Sequence, residues 1–274
     1  MYDRILIPTD GSDVAVAAAE TGFALARRFD SALHAVHVLG DGDPDRGDQL
    51  VTAVQEASAD LDIETTTAVL DESSSVHATL VDYVRDNEID CIVMGTHGTA
   101  HPDRPVLGSV AERTIRTAPV PVVTVNERTA PPSAFETILV PTDGSDHALE
   151  AAGHALGLAT AVDGSLHVIH VVRPRVGDLT GTVEERGERG RDAIDEVIDV
   201  ARRAGVTPVE ASLLTGVPYQ SIADYAHTHD VDLVVMGTHG QTGVGRHFIG
   251  SVTERVIRRI DVPVVTVKDH EQLE

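Results

Sequence analysis

The sequence has little of what marks secreted, disulfide-linked or membrane-spanning proteins. Its 274 residues include one cysteine, Cys91, so no disulfide can form within a chain, and a free cysteine inside an apolar run is usually a packing residue. No apolar run approaches the ~20 residues that span a bilayer. Met1 to Arg4 lead straight into a predicted strand, not into a signal peptide. We therefore expect a cytoplasmic protein.

Positive charge is also scarce. The chain has 21 Lys and Arg against 44 Asp and Glu, a formal net charge of −23, and Lys268 is its single lysine. Such a surface repels nucleic acids and anionic lipids, so we expect neither as a partner. The same balance is typical of halophilic proteins, because a Debye length of about 3 Å at molar salt screens the self-repulsion. We expect the protein to lose stability in low salt.

The chain contains an internal repeat. The stretch ILIPTDGSD at 5–13 returns as ILVPTDGSD at 138–146, and a glycine-rich stretch at 95–109 returns at 237–251. Two copies are too few for a repeat array, so they indicate two copies of one domain. The polar stretch 127–134 contains Pro131 and Pro132 and predicts a linker. We predict domains at 1–126 and 135–268.

Short β-rich runs alternate with helix-period stretches in each half. This alternation is typical of a parallel sheet that helices cover on both faces, so the fold class is α/β. For the first half we predict strands at 4–8, 32–39, 63–69, 90–95 and 120–125, and helices at 13–29, 45–59, 76–87 and 109–117. The second half repeats this order, with a longer and highly charged second helix at 183–204.

Each half also contains a glycine-rich loop between a buried strand and a helix. The first loop runs Gly95-Thr96-His97-Gly98, nine residues, then Gly108-Ser109, and the second runs Gly237-Thr238-His239-Gly240, nine residues, then Gly250-Ser251. Glycines let backbone N–H groups approach a ligand closely, and a helix start supplies unpaired donors and partial positive charge. The pattern predicts an anion site, with a nucleotide phosphate as the hypothesis, in each half.

These loops, together with the opening strand-Pro-x-Asp-x-Ser pattern, resemble the universal stress protein family and its nucleotide signature Gly-x2-Gly-x9-Gly-Ser/Thr. The resemblance covers nearly the whole chain as a tandem pair. It implies two Rossmann-like domains, each a five-stranded parallel sheet with helices on both faces, that bind ATP, ADP or AMP. The family usually dimerises through its last strand, which implies a pseudo-dimer within this chain. Further pairing into a homodimer stays open.

The resemblance also implies roles for the matching residues. Asp10 and Asp143 would contact adenine or ribose, and Val38 and Val171 would flank the base. The ribose and phosphates would be held by residues of the glycine loops and helix starts, which are Gly95, Gly98, Gly108, Ser109 and Val110, and Gly237, Gly240, Gly250, Ser251 and Val252. Arg246 would add a cation near the second phosphate site, and Mg²⁺ is the candidate counter-ion.

The two loops differ in ways that favour the second half as the nucleotide site. Pro102 and Pro105 stiffen the first loop and remove two N–H donors, and Asp103 adds a negative charge where phosphate would lie. Ser74 stands where the second half has Gly216 after its third strand. We predict that the first site is weakened or differs in specificity.

Several of these residues have simpler structural interpretations. Ser109 and Ser251 each precede a glutamate by three positions, which is also the spacing of a capping box. Asp10 and Asp143 could form turns alone, with Ser12 or Asp13 capping the next helix, and a metal role for these carboxylates stays open.

The histidines and the charged second helix have simpler interpretations too. His34 and His37, repeated as His167 and His170, are three apart on a strand and so face opposite sides, which suits a structural role better than metal chelation. His97 and His239 lie inside the glycine turns, where a proton-transfer role is conceivable. The charged run 184–189 predicts a solvated helix face.

Three classes of function fit the sequence. The first is a nucleotide-dependent signalling module with slow or no hydrolysis, in which the nucleotide orders the loop at 241–249 for a protein partner. We find no Walker lysine, no Ser-His-Asp spacing and no metal-ligand cluster that would install an efficient nucleophile. The second is a genuine ATPase or nucleotidyl-transfer enzyme, and the third is an interaction scaffold that binds no nucleotide.

Overall fold

The structure is a computed structural model that describes residues 1–40, 43–98, 107–174, 183–240 and 249–268. Two compact units divide the chain, Met1–Ser133 and Ala134–Glu274, and each is described by itself. Arg246 and most of the two nine-residue loops lie outside the described residues. Among the helices of the described ranges, none is long and apolar enough to cross a membrane.

The first unit alternates strands and helices. Its elements are β1 (Arg4–Pro8), α1 (Asp13–Phe29), β2 (Ala32–Leu39), α2 (Pro44–Ala59), β3 (Thr65–Asp71), α3 (Val76–Asp86), β4 (Cys91–Gly95), α4 (Ser109–Thr117) and β5 (Val122–Val125). The strands pair in parallel in the order β3-β2-β1-β4-β5. Ile5 is in register with Leu33 on one side and with Cys91 on the other.

The second unit repeats this architecture. Its elements are β6 (Thr137–Pro141), α5 (Asp146–Val162), β7 (Ser165–Val172), α6 (Val183–Ala204), β8 (Val209–Thr215), α7 (Pro218–Thr228), β9 (Leu233–Gly237), α8 (Ser251–Ile257) and β10 (Val264–Val267). Its strands are parallel in the order β8-β7-β6-β9-β10. The predicted fold class is confirmed in both units.

The central strands form the core. Ile5, Leu6 and Ile7 of β1 are fully buried, as are Ile138, Leu139 and Val140 of β6. Consecutive buried residues on a strand mean that both faces of the sheet are covered, as parallel sheets require. From β1 the chain continues into β2 and β3 on one side of that strand and then returns to β4 on its other side. In the second unit β6 is related in the same way to β7 and β8 on one side and to β9 on the other. The carboxyl ends of these neighbouring strands therefore flank a crevice at a topological switch point, where such sheets bind ligands.

Short turns deliver the chain from the central strands into α1 and α5. Gly11 and Gly144 both have φ of 76°, a left-handed conformation that favours glycine. Ser12 then caps α1 by accepting a hydrogen bond from the amide of Ala15 at 3.2 Å, and Ser145 caps α5 from Ala148 at 3.3 Å. Of the two alternatives considered for the cap of α1, Ser12 or Asp13, the cap is Ser12.

One predicted strand is displaced by two residues. The strand predicted at 63–69 forms as β3 at Thr65–Asp71. Residues 60–63 instead complete the end of α2, because the amides of Leu61 and Ile63 both donate to the Ser58 carbonyl. Asp62 lies there with φ of 58°, so extended pairing with β2 begins only after the turn.

Candidate functional site

Asp10 and Asp143 stand at the ends of the two central strands. Oδ1 of Asp10 accepts the amide of Ser12 at 3.0 Å, and Oδ1 of Asp143 accepts the amide of Ser145 at 3.1 Å and its hydroxyl at 2.6 Å. These hydrogen bonds confirm the turn role that was considered for both aspartates. It uses Oδ1 and directs Oδ2 toward the glycine loop.

The second glycine of each loop lies against the aspartate of the same unit. A Cβ atom on Gly98 would overlap Oδ2 of Asp10, and one on Gly240 would overlap Oδ2 of Asp143. Glycine is required at both positions because any larger residue would displace the carboxylate. This contact joins the end of β1 to the loop after β4, and the end of β6 to the loop after β9.

The first glycine of each loop packs against the helix that follows the central strand. A Cβ atom on Gly95 would lie 2.9 Å from Cγ1 of Val14, and one on Gly237 would lie 2.6 Å from the carbonyl oxygen of His147. Strands β4 and β9 therefore end directly against the first turns of α1 and α5. This contact holds the loops at the crevice.

The third glycine of each loop is the N-cap of the following helix. Gly108 precedes α4 and Gly250 precedes α8, and neither helix has a side-chain cap. The capping-box interpretation is therefore wrong, because Ser109 and Ser251 are the first helical residues rather than the caps. The amides of Gly108 and Gly250 donate to Thr96 and Thr238 at 2.7 and 2.8 Å, which brings the two ends of each loop together.

In the second unit these elements line an open cavity of about 440 Å³. It is lined by all the described residues of this half that the resemblance assigns to the nucleotide, namely Asp143, Val171, Gly237, Gly240, Gly250, Ser251 and Val252. Its apolar wall is aliphatic, with Pro141, Ile169, Ile222 and Met236 among the contributors. A volume of this size lies in the range of small-molecule sites.

In the first unit the matching residues occupy equivalent positions. Asp10 and Gly98 are in contact, Gly95 ends β4, and Gly108, Ser109 and Val110 form the start of α4. Val38 lies near the end of β2, in register with Leu70. One neighbour differs, because a Cβ atom on Gly11 would lie 2.5 Å from Cδ2 of Leu50, so a leucine of α2 covers this turn.

Sequence reasoning missed three arginines that line the cavity, Arg173, Arg186 and Arg189. Arg173 follows β7, and the other two lie on α6. The prediction of a solvated face for 184–189 is wrong for Arg186, which is half-buried with Nε and Nη1 inaccessible to solvent, while the neighbouring glutamates are exposed. The sequence feature that could have indicated this burial is the pair of glycines Gly187 and Gly190, which lie three residues apart in a helix.

Gly190 explains how α6 reaches the cavity. A Cβ atom on this residue would lie 2.6 Å from Cδ2 of His170 and 2.7 Å from Cδ1 of Leu213. The helix therefore packs closely on β7 and β8, which carry those two side chains. Gly47 has the same role in the first unit, where a Cβ atom would lie 2.9 Å from Val69 and 3.1 Å from His37.

The strand histidines make hydrogen bonds within the fold, consistent with the structural role predicted for them, and His170 also lines the cavity. Nδ1 of His37 donates to the Thr9 carbonyl at 2.7 Å, and Nδ1 of His170 donates to the Thr142 carbonyl at 2.9 Å. His34 instead bonds Tyr83 of α3 at 2.9 Å, so the two histidines of β2 contact different elements. Burial lowers the pKa of His170, and the hydrogen bond to the Thr142 carbonyl opposes this shift without reversing it.

The histidines of the two glycine turns differ in their neighbours. Nε2 of His97 lies 2.9 Å from Oε2 of Glu127, and this hydrogen bond lowers the pKa of that carboxyl. His239 lines the cavity of the second unit, and its ring centroid lies 5.3 Å from that of His147 on α5. The first unit has Val14 at the position of His147, so this histidine pair belongs to the second unit.

Comparison with known proteins agrees with the class that the fold defines, a tandem parallel α/β protein with a glycine-rich crevice in each unit. The model of the universal stress protein family matches residues 1–126 and 134–268. The chain belongs to the universal stress protein family.

Single-domain relatives match about half of the chain. A universal stress protein of Methanocaldococcus jannaschii is 39% identical over 141 residues, which are 49% of this chain and 82% of that protein. A universal stress protein of Thermus aquaticus is 37% identical over 137 residues, which are 49% of this chain and 99% of that protein.

A solved structure shares the tandem fold. The crystal structure of a universal stress protein from Archaeoglobus fulgidus covers 97% of this chain and 96% of its own, with a TM-score of 0.73. Its sequence identity of 20% means that this likeness supports the fold alone.

Proposed function

We propose that the second unit binds an adenine nucleotide, ATP, ADP or AMP, and that the protein acts as a nucleotide-dependent signalling module with slow or no hydrolysis. The observation that carries this proposal is the 440 Å³ cavity, which is lined by every described residue of that half that the resemblance assigns to the nucleotide. Family membership supports the same function, since the glycine spacing is the nucleotide signature of the resemblance.

Each side of the cavity suits one part of a nucleotide. Ile169, Val171 and Met236 offer aliphatic surface for the base, and Asp143 offers a carboxylate oxygen to a base amine or ribose hydroxyl. Gly250, Ser251 and Val252 place first-turn amides at the cavity, and because a glycine occupies the N-cap, no capping side chain covers them. We assign the phosphates to these amides.

Mg²⁺ would enter with the nucleotide. Mg²⁺ commonly binds substrate phosphates and keeps several waters, and since Asp143 is assigned to the base or ribose, phosphate oxygens and water would hold the ion. Within the described ranges, no group of three or more His, Cys, Asp or Glu side chains could hold a metal ion by itself. We propose Mg²⁺ as a counter-ion that the nucleotide phosphates bring with them.

We propose one nucleotide per chain. In the first unit Leu50 of α2 packs on Gly11, next to Asp10, whereas the corresponding position of α6 is Ala193. The side chain of His97 is engaged with Glu127. The sequence of the first loop also contains two prolines and Asp103, which have no counterparts in the second loop. Each difference reduces space, backbone donors or positive charge in the first crevice.

A pair of matched substitutions tests the site. Gly250→Asp places a side chain and a negative charge at the start of α8 and should abolish ATP binding in calorimetry at molar KCl. Gly108→Asp makes the same change in the first unit and should leave binding intact. Equal affinity of Gly250→Asp and the unmodified protein would refute the site. No heat and no thermal shift with ATP would favour the scaffold alternative.

Turnover distinguishes the remaining alternative. An ATPase would show multiple turnovers that Asp143→Asn or Gly240→Ala abolishes, whereas the proposed module releases its nucleotide unchanged or hydrolyses it slowly.

Four further points remain proposals. They are a pseudo-dimer through the last strands of the two units, a homodimer of chains, a protein partner and a salt-rich cytoplasm. Sedimentation with and without ATP at molar KCl tests the homodimer.

A further inference from the structure

Ser145 holds the carboxylate of Asp143 with two hydrogen bonds. Oδ1 of Asp143 accepts the backbone amide of Ser145 at 3.1 Å and its hydroxyl at 2.6 Å. The same hydroxyl oxygen accepts the amide of Ala148 at 3.3 Å, so its one proton points to the carboxylate. A carboxylate has about four acceptor positions on its two oxygens, and Ser145 takes two of them. Ser145 therefore fixes the orientation of the carboxylate without using its whole capacity as an acceptor.

The other carboxylate oxygen is fixed from the opposite side. A Cβ atom on Gly240 would overlap Oδ2 of Asp143, so the carboxylate is held between the turn after β6 and the loop after β9. Asp143 and Gly240 both line the cavity. An acceptor group thus stands at a defined place in the cavity wall, where it can favour a ligand that carries hydrogen-bond donors.

The order of the strands places Asp143 between the two ends of the proposed nucleotide. Asp143 follows β6, which lies between β7 and β9. The base is assigned to Val171 on β7, and the phosphates are assigned to the amides at the start of α8, which follows β9. Neighbouring strands lie about 4.8 Å apart. Since the sugar of a nucleotide joins the base to the phosphates, its hydroxyls come to the strand in the middle.

We propose that Asp143, positioned by Ser145, accepts hydrogen bonds from the 2′- and 3′-hydroxyls of the sugar and makes the second unit selective for ribonucleotides over deoxyribonucleotides. This inference rests on the proposed nucleotide site, and it assigns Asp143 to the ribose rather than to a base amine. A site built to bond a ligand hydroxyl rejects the analogue that lacks it, because the protein group then loses its partner.

The first unit repeats part of this arrangement and provides a control. The amide of Ser12 donates to Oδ1 of Asp10 at 3.0 Å, and the hydroxyl oxygen of Ser12 accepts the amide of Ala15 at 3.2 Å. Of these two described serine–aspartate pairs, only Ser145 and Asp143 share a hydroxyl hydrogen bond. Substitution of Ser12 therefore tests the loss of a helix cap alone, whereas substitution of Ser145 also releases the carboxylate.

The test compares ATP with 2′,3′-dideoxy-ATP by calorimetry at molar KCl. The unmodified protein should bind ATP at least about tenfold more tightly, the scale of one hydrogen bond to a charged group. Ser145→Gly keeps a residue that N-caps tolerate but removes the hydroxyl. It should weaken ATP binding about threefold to tenfold and leave the affinity for the dideoxy analogue nearly unchanged. Ser145→Thr retains a hydroxyl and should restore the preference, and Ser12→Gly should not alter it.

The outcomes separate this inference from the proposed function. Equal affinities for ATP and 2′,3′-dideoxy-ATP would overturn the sugar selection and leave the nucleotide site standing, whereas absence of binding to both would overturn both. Inosine triphosphate, which lacks the base amine, tests the other role of Asp143. If Asp143→Asn alters discrimination between ATP and inosine triphosphate but not between ATP and the dideoxy analogue, the inference is wrong.

Asp143→Asn also serves if Ser145→Gly does not fold, because asparagine can form the same turn as aspartate. Loss of the preference for ATP over the dideoxy analogue in this variant supports the inference, and its retention contradicts it.

Discussion

Gly240 lies so close to Asp143 that a Cβ atom on residue 240 would overlap the carboxylate oxygen Oδ2. The same relationship holds between Gly98 and Asp10 in the first unit. The aspartate after the central strand and the loop after its neighbour are therefore fixed against each other. The second glycine of the signature is therefore required for packing against the aspartate, whether or not a ligand is bound.

Gly240→Ala should weaken ATP binding at least tenfold, because the new methyl group displaces the Asp143 carboxylate and the adjoining loop. Gly98→Ala makes the same collision with Asp10 in the first unit and is the control. Calorimetry at molar KCl checks both. An equal effect of the two substitutions on ATP affinity would contradict the assignment of the nucleotide to the second unit.

Gly190→Ala should lower the free energy of unfolding by about 1–3 kcal/mol, because its Cβ would collide with His170 and Leu213 in a packed interface. It should also weaken ATP binding, because moving α6 away from β7 changes the wall of the cavity. Thermal melts and calorimetry measure the two effects.

Gly187→Ala is the matched control on the same helix. Its Cβ would meet its nearest neighbours, Arg191 and Leu213, only at 4.0 Å, so the gain in helix propensity should raise stability by up to about 1 kcal/mol. A loss of stability in Gly187→Ala as large as that in Gly190→Ala would show that α6 does not pack as described.

Acidification should destabilise the protein between pH 7.5 and 5.5. Burial lowers the pKa values of His34, His167 and His170 in the folded state. Below the unfolded value of about 6.5, the unfolded chain therefore binds more protons, and stability falls as pH falls. Burial raises the pKa values of Asp90 and Asp232, which has the opposite effect but in the more acidic range where carboxyls titrate.

Thermal melts at constant molar KCl measure this pH dependence. His170→Asn removes one of these titrating groups while keeping a donor for the Thr142 carbonyl, so its melting temperature should fall less between pH 7.5 and 5.5. A melting temperature of the unmodified protein that stays constant or rises on acidification would contradict the prediction.

Dialysis from molar KCl into low salt should unfold the protein or lower its melting temperature strongly, because 44 acidic residues face 21 basic ones without screening. Circular dichroism during a salt titration follows the change. Unaltered ellipticity and melting temperature at low ionic strength would mean that the acidic surface is not an adaptation to salt.

The sequence predicted most element boundaries to within about two residues, because glycine, proline and aspartate turns punctuate strongly apolar strands. It also predicted the residues around the crevice, since parallel strands bring their carboxyl ends to one edge. It could not predict that Arg186 lies at the cavity, because that depends on how closely Gly190 lets α6 approach β7. Leu50 against Gly11 is another contact between distant elements that no local pattern encodes.

The most direct test of the nucleotide site is a crystal structure grown with excess ATP at high salt. We expect one nucleotide per chain, in the second unit, with its base against Val171 and its phosphates at the amides of Gly250, Ser251 and Val252. A vacant cavity in that unit, or one filled by the protein's own side chains, would contradict it.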